Sequence, residues 1–276
     1  MTNTNHPEPS HLSMQDRVAV VTGAGSGIGA ATARLLASRG ARVVALDIDR
    51  ASVHAVSELI NDDGGMSSPL VVDVADAADV GIAFDTIRSQ HSHVDFVVNA
   101  AASFIAKGLD ATTADWDKVL GVNIRGYSNI VQASHPLMLS SDAASIVNVS
   151  SISAHIAQPS RWTYNATKGA ILSLSRCMAM DLAEHGIRVN VVSPGWIWTN
   201  EVAKAADGDR KKWEPIWGKY HLLGRLGEAR EVATTIAFLL SSESSFITGA
   251  EIPVDGGYLS MGPEGLGETA TFAGSA

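Results

Sequence analysis

Three residues between Val147 and Lys168, in the stretch VNVSSISAHIAQPSRWTYNATK, have the types and spacing to do chemistry: Ser151, Tyr164 and Lys168. On a helix, Tyr164 and Lys168 lie one turn apart on one face. A lysine ammonium so placed stabilises a tyrosine phenolate and lowers the hydroxyl's pKa from its usual value of about 10. That is one way to make a base that works near neutral pH. The same pair on a solvated helix does nothing, so the elements that position it decide between the two readings.

Those elements form a repeating pattern. Arg17 to Thr22 (RVAVVT) is an apolar, β-branched run that predicts a buried strand. The loop GAGSGIG follows, then the helix-period segment AATARLLASRG closed by Gly40, then a second strand, ARVVALD. Strand, glycine loop, helix and strand make a βαβ unit with parallel strands. Gly23, Ser26, Gly27, Ile28 and Gly29 fall where backbone must approach a pyrophosphate closely and the helix N-terminus offers free N–H groups. The spacing is T-G-x-x-x-G-x-G rather than G-x-G-x-x-G. Asp47 ends the second strand, where a carboxylate accepts hydrogen bonds from ribose hydroxyls and repels a 2′-phosphate; position 48 is isoleucine, without charge to neutralise one. NAD is therefore expected over NADP. Asp49 is better suited to capping the next helix.

Farther along, Pro69 to Val74 predicts a third strand with Asp73 and Val74 at its ligand-facing end, and Ala75 to Ser89 a helix. Asp95 to Ala102 (DFVVNAAA) predicts a fourth strand, and Thr112 to Ser134 one long helix or two, carrying Asn123. Ser145 to Val149 predicts a fifth strand that delivers Ser150 and Ser151. Beyond the helix of Tyr164 come a sixth strand (IRVNVVSPG), a tryptophan-rich loop, the helix REVATTIAFLLSS and a last strand, AEIPVDGGY. The fold class expected is α/β: a single domain over residues 14–276 with a doubly wound, mostly parallel sheet and helices on both faces. Residues 1–13 are polar, lack the regions of a signal peptide and are expected to be a disordered tail.

Composition narrows the function. Of the 276 residues 46% are apolar and 18% charged, as in a globular protein. A net charge of −9 argues against a nucleic-acid partner, and no apolar run is long enough to cross a bilayer. The nine histidines show no metal-ligand spacing, so no metal is expected. Cys177, the only cysteine, excludes an intramolecular disulfide, fits a reducing cytoplasm and reads as part of a buried helix face.

Taken together, TGAGSGIG (Thr22 to Gly29), Asp73, Asn99 in NAAA, Asn123, Ser151, YNATK (Tyr164 to Lys168), Pro194-Gly195 and VDGG (Val254 to Gly257) resemble the short-chain dehydrogenase/reductase family. The likeness runs from about Asp16 to Tyr258. It implies a nicotinamide-dependent oxidoreductase that interconverts a secondary alcohol and a ketone, and an assembly of two or four copies. It also implies roles: Tyr164 as acid/base, Ser151 on the substrate oxygen, Lys168 on the nicotinamide ribose, Asn123 positioning a water. Asn99, Pro194, Ile197 and Thr199 join the cofactor contacts. The family's N-N-A-G reads Asn99-Ala100-Ala101-Ala102 here, and Ala154 stands where a glycine is usual.

In that layout the substrate pocket is walled by Ser103 and Phe104, His155 and Ile156, Arg161 and Trp162, and Trp196 through the following loop. Aromatic walls suit an apolar or cyclic alcohol. Arg161 either faces solvent or grips an anionic substrate group. Residues 196–222 are expected to form a lid, and residues 259–276 a tail packed on a neighbouring subunit. Two alternatives share the fold: an NADPH-dependent 3-oxoacyl-carrier reductase, opposed by Asp47, and a non-catalytic NAD-binding regulator, which would be free to lose the four catalytic groups.

Overall fold

The structure, a computed structural model, describes residues 14–266. The expected N-terminal tail and residues 267–276 lie outside the described residues. The elements in chain order are β1 (Val18–Thr22), α1 (Gly27–Ser38), β2 (Arg42–Asp47), α2 (Arg50–Asp62), β3 (Met66–Val71), α3 (Ala77–Gln90) and β4 (Phe96–Asn99). Then follow α4 (Thr113–Leu120), α5 (Gly126–Met138), β5 (Ser145–Val149), α6 (Trp162–Leu182) and β6 (Arg188–Pro194). The chain ends with β7 (Ile197–Trp198), α7 (Asn200–Ala205), α8 (Arg210–Gly218), β8 (Gly227–Glu228), α9 (Ala229–Leu240) and β9 (Glu251–Val254).

Seven strands form one parallel sheet in the order β3-β2-β1-β4-β5-β6-β9. Strands buried on both faces read as near-continuous apolar runs, and VAVVT in β1 is buried at every position. One apolar cluster packs α1 and α9 on one face, and a second packs α3 and α5 on the other. After β3 the chain returns to the far side of β1 to start β4. The strand order therefore reverses between β1 and β4, and a crevice opens at their carboxyl ends.

Several expected boundaries move. The third strand is Met66–Val71, not Pro69 to Val74, so Asp73 and Val74 sit in the loop beyond it. Pro69 is tolerated within β3 because that strand is at the sheet edge and pairs only with β2. Asp95 precedes β4: its carboxylate accepts from the Val18 N–H at 2.8 Å and pairs with Arg17 at 3.1 Å, a buried brace for the start of β1. The segment from Thr112 is two helices joined by a π-helical turn at Gly121–Arg125, and this turn holds Asn123. Cys177 is exposed on α6 rather than buried, because it lies on the face with Arg176 and Met180, opposite the Ile171-Ser175-Met178 stripe.

Candidate active site

The glycine loop is built for close backbone approach. Gly23 adopts φ 65°, and a Cβ there would lie 2.8 Å from the Ala101 nitrogen. At Gly25 a Cβ would lie 3.0 Å from the Asp47 Oδ2, whose oxygen instead accepts the Gly25 N–H at 2.9 Å. The other Asp47 oxygen accepts the Asp49 N–H at 2.9 Å, while Asp49 caps α2 through the Ser52 N–H. Each Asp47 oxygen keeps a lone pair for a ligand hydroxyl. Ser26 leads into α1 without a side-chain cap, leaving the first turn's N–H groups to a ligand. Thr22 fixes the neighbouring loop, its hydroxyl accepting from the Ala100 and Ala101 N–H groups at 3.0 and 3.1 Å.

Strand β5 and helix α6 carry the proton-transfer groups. Tyr164, Ser151 and Lys168 are 8%, 9% and 2% exposed and line the same cleft. Lys168 Nζ donates to the Val149 carbonyl at 2.9 Å, which also accepts the Tyr127 hydroxyl at 3.1 Å. Ser150 donates to the Lys168 carbonyl at 2.8 Å, so strand end and helix are tied in both directions. Ala154 lies in the 3-10 turn Ile152–Ala154, with its N–H donating to Ser151. A right-handed turn of this kind needs no glycine.

A strap holds the loop after β4 against α6. Thr163 donates to the Ile105 carbonyl and accepts the Lys107 N–H. Asn123 accepts the Ser103 N–H at 2.7 Å and donates to the Ser103 carbonyl and the Thr167 hydroxyl. The strap sets Phe104 against Tyr164, ring centroids 5.6 Å apart and stacked. Thr163 and Thr167 were not legible as site residues; only their partners in space give them a role.

The electrostatics run against one expectation. Burial pushes the Tyr164 hydroxyl up to about 12, opposed by the Ser151 hydroxyl and the Arg161 charge, and it pushes Lys168 down to about 7. Lys168 lies 5.5 Å from the Tyr164 ring centroid, and desolvation sets the direction of the shift at both groups. The protein by itself therefore keeps Tyr164 protonated near neutrality.

The cleft, about 580 Å³, is lined by Gly23, Ser26, Gly27, Ile28, Gly29, Asp47, Asp73, Val74, Pro194, Ile197 and Thr199 at one end. Ser103, Ser151, Arg161, Tyr164, Lys168 and Trp196 also line it. Five expected residues do not, Ile156 among them. Asn99 and Asn123 are fully buried behind the cleft, Asn99 donating to Asn148 at 2.9 Å. His155 turns away to Glu251 at 2.6 Å, and Trp162 is 54% exposed on the outside of α6. Gln158, Ile48 and Lys118 line the cleft without having been expected. Among the described residues no cluster of potential ligands for a metal ion is present, and no helix is long and apolar enough to cross a membrane.

The glycine-rich loop, the bare first turn of α1 and the oriented Asp47 carboxylate fit a dinucleotide. Comparison with known proteins agrees. A family model described as "Enoyl-(Acyl carrier protein) reductase" matches residues 23–259. A cis-4-hydroxycyclohexanecarboxylate dehydrogenase of Sinomonas cyclohexanicum is 37% identical, over 89% of this chain and 98% of its own. A cyclohexanol dehydrogenase of an Acinetobacter strain is 33% identical over 89% and 96%. The crystal structure of a gluconate 5-dehydrogenase from Burkholderia cenocepacia, in complex with NADP and tartrate, superposes with a TM-score of 0.85 at 32% identity, over 92% of this chain and 99% of that one. The chain belongs to the short-chain dehydrogenase/reductase family and is an oxidoreductase with a family site for a nicotinamide cofactor.

Proposed function

We propose that this protein interconverts a secondary alcohol and a ketone with NAD, and that the alcohol carbon belongs to an apolar or cyclic framework. The observation that carries the reading is the convergence of Tyr164, Ser151 and Lys168 on a cleft whose other end is the glycine loop and Asp47. Gly23 to Gly29, Asp47, Asp73, Val74 and the Pro194 to Thr199 segment would hold the cofactor, which when bound accepts a hydride from the carbinol carbon. Tyr164, ionised once the positive charge of the cofactor is in place, takes the hydroxyl proton, and Ser151 donates to the same oxygen. Both groups bind the alkoxide-like transition state better than the alcohol. Lys168 holds the ribose side of the site, and Asn123 sets the loop that presses Phe104 on Tyr164.

The cyclic framework is supported by the aromatic walls, Phe104 and Trp196, and by ring alcohols in the names of two relatives. NAD is supported by Asp47, whose carboxylate disfavours a 2′-phosphate. The structural neighbour that holds NADP makes this the point to measure. Initial rates with a panel of secondary alcohols, each with NAD and with NADP, test both parts. Turnover of ring alcohols with NAD in preference is the expected result. Stronger activity with NADP, or full activity of Tyr164→Phe, would overturn the assignment.

A further inference from the structure

Arg161 stands out in the cleft. It lines the cavity at the N-terminus of α6, three residues before Tyr164, and it pairs with no carboxylate among the described residues. Other partly buried arginines are answered: Arg210 by Glu214 and Glu228, Arg17 by Asp95. The guanidinium carbon of Arg161 sits 5.8 Å from the Trp196 ring centroid, a cation–π arrangement that fixes the fork against the cleft wall. Its charge favours ionisation of both Tyr164 and Tyr258, so it lies within electrostatic reach of the reacting hydroxyl.

The charges around it are divided. The acids lining the cleft are Asp47 and Asp73 at the cofactor end, and Glu201, already paired with Lys204 at 2.6 Å. Lys118, the other cation at the surface of the cleft besides the buried Lys168, stands 4.0 Å from Asp73. The first turn of α6 contains no acidic residue, and no side chain caps it, so the positive end of a 21-residue helix adds to the field at Arg161. A partly buried, unanswered arginine beside a catalytic hydroxyl costs desolvation unless a ligand supplies the counter-charge.

We propose that Arg161 is a specificity-determining anion anchor and that the preferred substrate is a hydroxy acid: a cyclic secondary alcohol bearing a carboxylate. A single planar fork matches one carboxylate through two parallel N–H···O bonds. The ring then rests between Trp196 and Phe104 while its hydroxyl reaches Tyr164 and Ser151. The inference rests on the alcohol–ketone reading above but is separable from it by experiment.

Two measurements decide. In the first, kcat/KM is compared for 3- and 4-hydroxycyclohexanecarboxylates and their neutral carboxamides, in the wild type, Arg161→Gln and Arg161→Lys. The wild type is expected to favour a carboxylate over its amide by about 10- to 100-fold. Arg161→Gln brings that ratio close to one, and Arg161→Lys leaves it between the two. In the second, cyclohexanecarboxylate and cyclohexanecarboxamide, which have no hydroxyl to oxidise, are titrated against tryptophan fluorescence with bound cofactor. The acid is expected to bind the wild type more tightly than the amide, and to lose that advantage in Arg161→Gln. Tighter binding of the acid without turnover would uphold the anchor and sink the alcohol reading. A wild-type ratio near one in both measurements, or a preference that survives in Arg161→Gln, would overturn the anchor. Should Arg161→Gln fail to fold, the wild-type ratios together with Arg161→Lys decide between the same outcomes.

Discussion

Lys168 and Val149 are joined across the strand-to-helix gap by a hydrogen bond of 2.9 Å from the ammonium to the backbone carbonyl. The bond anchors a side chain that is almost wholly buried and whose charge burial disfavours. In the unfolded chain the lysine keeps its proton up to the ordinary 10.5; in the folded protein it gives it up near 7. Between those values the unfolded state binds more protons, so this group makes folding more favourable as pH rises through the window. Stability of the wild type relative to Lys168→Met, measured by urea unfolding, is expected to improve from pH 7 towards 10. A flat difference would show that Lys168 is solvated.

Tyr164 gives a complementary prediction. Because burial lifts its hydroxyl to about 12, the tyrosinate absorbance lost in Tyr164→Phe is expected to be absent at pH 8 in the protein alone. Addition of NAD, whose nicotinamide carries positive charge, is expected to bring the titration down. Phenolate at neutral pH without cofactor would contradict the burial argument. Turnover of Tyr164→Phe should fall by about 10²- to 10⁴-fold.

Asp47 is expected to set cofactor choice. Its two oxygens are oriented by the Gly25 and Asp49 N–H groups, so replacement removes a fixed acceptor rather than a mobile one. Asp47→Ala should weaken NAD binding by about tenfold or more and narrow its advantage over NADP, read by fluorescence titration.

Asn123 joins Ser103, twenty residues before it, to Thr167, forty-four after it. Asn123→Ala removes the partner of the Ser103 N–H and carbonyl and leaves Thr167 only its bond to the Tyr164 carbonyl, and it is expected to cost about 1–3 kcal/mol of stability. It should also loosen the loop carrying Phe104, and activity should fall further than stability explains. Equal losses at Asn123→Ala and at a remote site of matched stability would refute the positioning role.

Gly29→Ala tests the glycine loop. A Cβ there would overlap the Gly23 carbonyl, which is backbone and cannot turn aside. Overpacking of this kind costs about 1–3 kcal/mol or more, so a lowered Tm is expected together with weaker cofactor binding. An unchanged Tm would mean that the first turn of α1 is loose.

How much of this was legible depended on the reach of each interaction. The βαβ start, the glycine loop and the Tyr164–Lys168 turn are written in local backbone needs and periodicity, and the structure places them as the spacing predicts. His155 was misplaced because its partner, Glu251, lies on the last strand, and nothing near position 155 announces it. Trp162 and Cys177 were misread for a simpler reason. A helix has an outer face even where the surrounding letters are apolar, and only the packing of α6 on the sheet reveals which face that is. The bounds of β3 slipped because Met66, Ser67 and Ser68 look like loop, and an edge strand tolerates such residues.

The packing of α1 against α9 has a consequence for biosynthesis. The first helix of the fold finds its main helical neighbour in a segment made some two hundred residues later, and that neighbour also covers β5 and β6. Until the ribosome has released α9, the side of α1 that packs on it has no cover, although α2 already joins the same apolar cluster. Contacts so distant in sequence form late and leave sticky surface waiting. A chain stalled or truncated before Ala229 should therefore depend on chaperones, whereas one cut after Leu240 should already hold that half of its core.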